Sequence, residues 1–282
     1  MIPRRLENQV AWVTGAGRGF GAAIARGLAQ AGAHVCITDV NADELAATAD
    51  EIDAAVDRSS STTLALLTDV CDAAAMQESA ARIVERWGRV DILVSNAAIL
   101  PLAPFEAHTP AFWRKMIDVN LTGVYHGVWA VWPHMVRQQH GHCIAIASGA
   151  SVRGFVDEVA YCTAKHGLEG FTQALALEAR PHQIAVNTMG PGRRIKPTSV
   201  SRDQEAQQRA AGSADWSDAL ELAPAFVWLA AQPPDRYTGL RFDAGPIAST
   251  LANEGYDFSF APEKVTLYVQ SMQERLARAP MQ

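Results

Sequence analysis

Short apolar, β-branched runs recur along this chain with helix-length segments between them, and that alternation narrows the possible folds more than any other feature. The runs are Val10 to Thr14, Val35 to Asp39, Leu64 to Leu67, Ile92 to Ser95, Cys143 to Ala147, Ala185 to Met189 and Leu240 to Asp243. Helical patterns fill Gly21 to Gln30, Asp43 to Val56, Ala73 to Trp87, Phe112 to Arg137, Val159 to Arg180 and Ser217 to Ala231. Strands joined through helices need crossover connections and therefore run parallel. The expected class is α/β: a doubly wound, seven-stranded parallel sheet with helices on both faces. A ligand crevice in such a sheet lies beyond the carboxyl ends of the strands.

With 282 residues, 49% of them hydrophobic and 19% charged, the chain can bury a sizeable core. No linker composition breaks the sequence before residue 190, so a single domain over 1–282 is expected. Residues 190–216 interrupt the rhythm with Gly-Pro-Gly-Arg-Arg-Ile-Lys-Pro-Thr and a polar stretch, which reads as a mobile flap. A C-terminal extension follows at about 246–282, with a helical pattern over Ala261 to Arg278.

The net charge of −6 argues against a nucleic-acid surface, which would need a basic face to neutralise phosphates. No apolar signal segment opens the chain, and no run approaches the roughly 18 apolar residues of a membrane span. A cytoplasmic location is the default expectation. Cys36, Cys71, Cys143 and Cys162 have no paired spacing and read as reduced core residues. His140 and His142 flank a glycine, but no further Cys, Asp or Glu spacing completes a metal site, so no catalytic metal is expected.

Immediately after the first strand comes Thr14-Gly15-Ala16-Gly17-Arg18-Gly19-Phe20-Gly21. Glycines permit a tight turn and let backbone approach a pyrophosphate, whose charge the N-terminus of the next helix stabilises. Asp39 closes the second strand, where a carboxylate can accept hydrogen bonds from adenosine ribose hydroxyls and repel a 2′-phosphate. NAD is favoured over NADP on that ground, with Arg18 arguing mildly the other way. Asp69 and Val70 end the third strand and Asn96, Ala97 and Ala98 the fourth, all at the crevice edge. Adenine contact for Asp69 and a cofactor-side loop at Asn96 compete there with simple turn or helix capping.

Tyr161 and Lys165 stand four residues apart on a predicted helix, with Ser148 thirteen residues upstream. Positions i and i+4 share a face, so an ammonium can sit beside the phenol. At about 5 Å and an effective dielectric near 20 that charge is worth roughly 3 kcal/mol, enough to draw a phenol from near 10 towards 8. A phenol so tuned would serve as general acid and base.

Together these motifs resemble the short-chain dehydrogenases/reductases of the classical type. The resemblance rests on Thr-Gly-x-x-x-Gly-x-Gly at 14 to 21, Asn-Ala-Ala at 96 to 98, Asn120, Ser148, Tyr161-x-x-x-Lys165, Val-Asn at 186 to 187 and Pro191-Gly192. It spans roughly residues 7 to 245. It implies a Rossmann-type NAD-binding domain and an Asn120-Ser148-Tyr161-Lys165 tetrad. Tyr161 would exchange a proton with the substrate oxygen and Ser148 would hydrogen-bond that oxygen. Lys165 would hold the nicotinamide ribose, and Asn120 would support a water leading to solvent. Cofactor contacts implied are Gly15, Gly17, Arg18, Gly19, Phe20, Gly21, Asp39, Asp69, Val70, Asn96, Ala97, Ala98, Tyr161, Lys165, Pro191, Gly192, Ile195 and Thr198.

Some positions depart from the family pattern. Ala98 replaces the usual Gly and Phe20 the usual Ile, while Pro191 to Thr198 is stretched and leaves open which of Ile195 and Thr198 takes the family's contacts. Arg193, Arg194 and Lys196 make the flap basic, which fits a solvated loop, a pyrophosphate contact or an acidic substrate. The resemblance implies an NAD-dependent oxidoreductase interconverting an alcohol and a ketone or aldehyde. The alternatives are an NADPH-dependent carbonyl or 3-oxoacyl reductase and a non-catalytic NAD-binding protein. Family members commonly form tetramers or dimers through the helices at Phe112 to Arg137 and Val159 to Arg180. Trp129, Phe171 and Leu175 on those helices read equally well as ordinary core.

Overall fold

The computed structural model describes residues 2–3, 5–56, 63–197, 200–213 and 215–259. Seven strands form one parallel sheet: β1 (Val10–Thr14), β2 (His34–Asp39), β3 (Thr63–Leu67), β4 (Ile92–Ser95), β5 (Gly141–Ile146), β6 (Ile184–Gly190) and β7 (Arg241–Asp243). Their order is β3-β2-β1-β4-β5-β6-β7. The chain therefore winds outward to β3, returns to place β4 beside β1, and winds outward again. That reversal opens a crevice beyond Thr14 and Ser95, where the two halves diverge. Residues of β1, β4, β5 and β6 are buried throughout, which explains why their sequences are apolar rather than alternating.

Helices α1 (Gly19–Gln30), α2 (Ala42–Ala55) and α3 (Ala73–Trp87) follow the first three strands. After β4 come α4 (Pro110–Ile117) and α5 (Gly123–Gln138), and after β5 comes α6 (Val159–Ala179). One apolar cluster joins Ile24, Leu28, Phe226, Trp228 and Phe242, and a second joins Trp12, Met76, Ile83, Val131 and Val186 on the other face. Cys36, Cys143 and Cys162 are buried and Cys71 is half-buried.

Three features differ from the sequence expectation. The helix read as Phe112 to Arg137 is broken by a π-helical turn at Asp118–Thr122, so α4 and α5 meet at an offset. The flap read as irregular contains α7 (Arg202–Ala210), capped by Ser201 and Gln204 in reciprocal hydrogen bonds. The helix read as Ser217 to Ala231 starts with a 3₁₀ turn at Ala219–Leu222, continues as α8 (Ala223–Ala230), and after β7 a further helix, α9 (Ala244–Glu254), packs against it. Thr198 and the helical pattern at Ala261 to Arg278 lie outside the described residues.

Candidate active site

The Gly-rich turn between β1 and α1 is shaped by close approaches. Gly15 has φ +62°, and a Cβ there would lie 2.5 Å from Ala97 Cα. A Cβ on Gly17 would lie 2.9 Å from the Asp39 carboxylate, whose Oδ2 accepts the Gly17 N–H at 2.9 Å. Asn96 fastens the turn to β4: its Nδ2 donates to Thr14 O at 3.0 Å and to Gly15 O at 2.8 Å. That bridge between β1 and β4 is neither the cofactor-side loop nor the turn or helix capping read for Asn96 from the sequence. Asp69 is exposed and its Oδ1 accepts the Cys71 N–H at 2.9 Å, a local turn, while Val70 is buried against Gly123. Phe20 meets Phe226 edge to face at 5.5 Å.

The N-terminus of α1 has no side-chain cap and no acidic residue in its first turn, unlike α2, capped by Asn41, and α7, capped by Ser201. Its unfilled N–H groups and positive dipole end suit a phosphate. Arg18 pairs with Glu44 at 2.9 Å, so its guanidinium already meets a carboxylate. The turn, the uncapped helix end and Asp39 together fit a dinucleotide.

The flap lies against this turn. The Lys196 side chain is only 6% exposed, lies near Gly19, and pairs with Glu205 of α7 at 3.0 Å. Arg202 reaches back to Gly17 O at 2.7 Å and also to Thr48 and Glu51 of α2. Arg193 contacts Glu221 and Ser249, and Arg194 pairs with Asp215 at 2.6 Å. Each member of the basic cluster thus has a carboxylate partner within the chain. Pro191 O accepts the Gly245 N–H at 2.9 Å, Gly192 has φ +64°, and Ile195 packs against the core.

Tyr161 and Lys165 lie on α6, and Ser148 lies at the turn after β5. Lys165 Nζ is 5.5 Å from the Tyr161 ring centroid and donates to Ile146 O at 2.7 Å. Ser148 meets Tyr161 side chain to side chain, and its Oγ also accepts the Ala150 N–H at 3.2 Å. Asn120, fully buried in the π turn, accepts the Ile99 N–H at 3.0 Å. Its Nδ2 donates to Ile99 O at 3.0 Å and Met116 O at 2.9 Å. It ties the loop after β4 to the helix break, and π turns recur at functional sites.

Electrostatics correct one expectation. Burial pushes the Tyr161 phenol up to about 12, with the Ser148 hydroxyl opposing and Glu158 and Cys162 adding. Burial also brings Lys165 down to about 8, against the pull of Glu169 and with a further push from Arg241. The Coulomb argument counted attraction and left out removal from water, which here is the larger effect on both groups. The phenol is therefore protonated at neutral pH.

Lys196, Arg202, Glu169 and Arg241 were not singled out for these contacts from sequence. Glu169 carried a signal, standing four residues after Lys165; Arg241, distant along the chain, carried none. The short chain dehydrogenase family model matches residues 9–209. Trans-4-hydroxycyclohexanecarboxylate dehydrogenase of Sinomonas cyclohexanicum is 33% identical over 251 residues, covering 88% of this chain and 96% of that protein. Carveol dehydrogenase from Mycobacterium avium, solved in complex with NAD, superposes with a TM-score of 0.74 at 28% identity, covering 86% of this chain and 99% of that one. A metagenomic short-chain oxidoreductase solved with NADP superposes with a TM-score of 0.70 at 32% identity, covering 84% and 98%.

Proposed function

The chain belongs to the short-chain dehydrogenase family, and from that premise we propose that it is an NAD-dependent oxidoreductase interconverting a secondary alcohol and its ketone, with Tyr161 as the proton-transfer group. The observation that carries this reading is the meeting of Tyr161, Ser148 and Lys165 at the carboxyl end of β5, on the same edge of the parallel sheet as the Gly-rich turn. A bound nicotinamide dinucleotide would supply the hydride acceptor and, in its oxidised form, a positive charge that would favour the ionised phenol.

The residues of the chain handle the rest. Gly15, Gly17, Gly19 and Gly21 cradle the pyrophosphate at α1, and Asp39 accepts from the ribose hydroxyls. Lys165 spends one of its three donors on Ile146 O and keeps two for the second ribose. Ser148 Oγ orients the substrate oxygen. For oxidation the Tyr161 phenol must first lose its own proton to solvent, after which the phenolate Oη takes the hydroxyl proton; in reduction the neutral phenol donates its proton to the substrate oxygen. Asn120 holds the loop after β4 that borders the site.

Support for NAD over NADP comes from Asp39 at the Gly-rich turn and from the Arg18–Glu44 pair. Phe155 packs beside Gly149 and neighbours exposed Val156, giving the site an apolar flank. That flank suits ring alcohols, the kind named in two relatives. Trp113, Tyr125 and Trp129 on α4 and α5 are partly exposed, as a pairing face between copies of the chain would require. Among the described residues no helix is long and apolar enough to cross a membrane.

A panel of cyclic, acyclic and polyol alcohols offered with NAD and with NADP tests the reading through reduced-cofactor absorbance. Turnover of a secondary alcohol with NAD is expected. No turnover of any alcohol with either dinucleotide would leave a binding protein instead.

A further inference from the structure

Behind the proposed reacting groups lies a largely buried pair of opposite charges that the reaction itself does not use. Arg241 leaves β7 with a side chain only 4% exposed, and its guanidinium donates to Glu169 Oε1 at 2.9 Å. The same guanidinium donates to the main-chain oxygen of Ser148 at 3.0 Å and lies 3.6 Å from Asp243 Oδ1. Glu169 Oε2 accepts the Thr188 hydroxyl at 2.9 Å. Gly190 leaves room for this arrangement, since a Cβ there would lie 3.3 Å from the Arg241 terminal nitrogen and 2.7 Å from Asp243 Oδ1. Glu169 stands one helical turn beyond Lys165 on α6, so it faces the same side.

We propose that Glu169 and Arg241 form a positioning pair for the Tyr161 site: the guanidinium fixes the Ser148 turn through its carbonyl, and the two opposed charges together set how firmly Lys165 holds its proton. This proposal rests on the reading of Tyr161, Ser148 and Lys165 given above.

The geometry gives the pair two separable effects. Arg241 bridges two elements, α6 and the turn after β5, which carry Lys165 and Ser148 respectively. Removing it frees the turn and strands Glu169 as a buried carboxylate without its guanidinium. Among the described residues, Glu169 on α6 and Arg241 on β7 are the charged groups acting on Lys165, with Asp243 behind Arg241. The uncharged Tyr161 phenol and the Ile146 carbonyl also lie against it. Glu169 favours the ammonium and Arg241 disfavours it, against a burial that already brings Lys165 down to about 8. Loss of either member should therefore move Lys165 in opposite directions, which loss of packing would not do.

The chain has four lysines, Lys115, Lys165, Lys196 and Lys264, so labelling lysine Cε with ¹³C lets each be titrated by NMR in the whole protein, with Lys165→Met assigning the signal. Glu169→Gln, which keeps the size and a partner for Thr188, is expected to lower the Lys165 midpoint by roughly one pH unit. Arg241→Gln is expected to raise it by about as much, and the double variant to return within roughly 0.3 unit of the starting value. Arg241→Lys should hold the midpoint near the native value, because it restores the charge, yet lose turnover because the shorter, unforked side chain cannot span Glu169 and the Ser148 carbonyl as Nη1 and Nη2 do.

Shifts of the same sign in the two single variants, or none in Glu169→Gln, would overturn the proposal. If Arg241→Gln does not fold, Glu169→Gln and the double variant decide it alone. The titration needs no substrate, so its failure leaves the role of Tyr161 standing. A fully active Tyr161→Phe would remove that role without touching the titration.

Discussion

Replacing Asp39 by Asn tests the cofactor preference where the structure gives the most to reason from. The carboxylate accepts three main-chain N–H groups, from Gly17 at 2.9 Å, Val40 at 2.8 Å and Asn41 at 3.1 Å. Asn keeps the shape and one acceptor oxygen, so the turn survives while the full charge goes. A 2′-phosphate carrying about −1.5 charge, some 5 Å from the carboxylate in a half-exposed site with effective dielectric near 60, is repelled by about 1.7 kcal/mol, or roughly twentyfold in affinity. Quenching of tryptophan fluorescence by NADH and NADPH measures both dissociation constants. The native protein should bind NADH more tightly, and Asp39→Asn should narrow the ratio roughly twentyfold, chiefly by tightening NADPH. Added salt should shrink the native preference, since the interaction is screened. Tighter NADPH binding by the native protein, or an equal loss for both cofactors with the ratio unchanged, would refute the reasoning.

Three further changes have worked outcomes. Asn120→Ala removes three buried hydrogen bonds and leaves Ile99 N–H without its acceptor, so stability should fall by about 3 kcal/mol; an unchanged urea midpoint would count against the bracing role. Gly21→Ala would drive a Cβ into Asn96 Nδ2 and Gly15 O, so dinucleotide affinity should collapse, while Gly154→Ala, with nothing within 4 Å of its Cβ, should bind normally; matching affinities would contradict the turn geometry. Lys165→Met should be more stable than the native protein at pH 7 by on the order of 2 kcal/mol, because burial lowers the folded value below the unfolded one. The folded native chain then binds fewer protons than the unfolded chain between about 8 and 10.5, so native stability rises with pH there and the advantage fades; a gap that widens above pH 8 in paired melts would reverse the sign.

What could be read in advance follows from how each feature is encoded. Strands β1, β4, β5 and β6 are visible because central strands of a parallel sheet, buried on both faces, must be apolar throughout, whereas edge strand β3, mostly not buried, shows only as a short apolar run. The Gly-rich turn and the spacing of Tyr161 and Lys165 are local, and local geometry follows from local sequence. The π turn escaped because one inserted residue barely disturbs the apolar period, although Asn120 between Val119 and Leu121 was an amide in an apolar run. Helix α7 lacks an apolar stripe, since Arg202–Ala210 carries almost none; its Ser201 and Gln204 capping pair was the readable trace. Tyr161 was assigned the wrong direction because spacing reports proximity and not the loss of water around both groups. The contact of Arg241 with Glu169 joins residues 72 positions apart, and no periodicity reaches that far.

The most direct measurement compares Tyr161→Phe with the native chain on the best alcohol from the panel, after NAD titration shows that the variant still binds cofactor. The account predicts that turnover falls by roughly a hundredfold or more while NAD affinity stays within about threefold, because the proton has lost its carrier and the cradle is intact. Native turnover in the variant would contradict it.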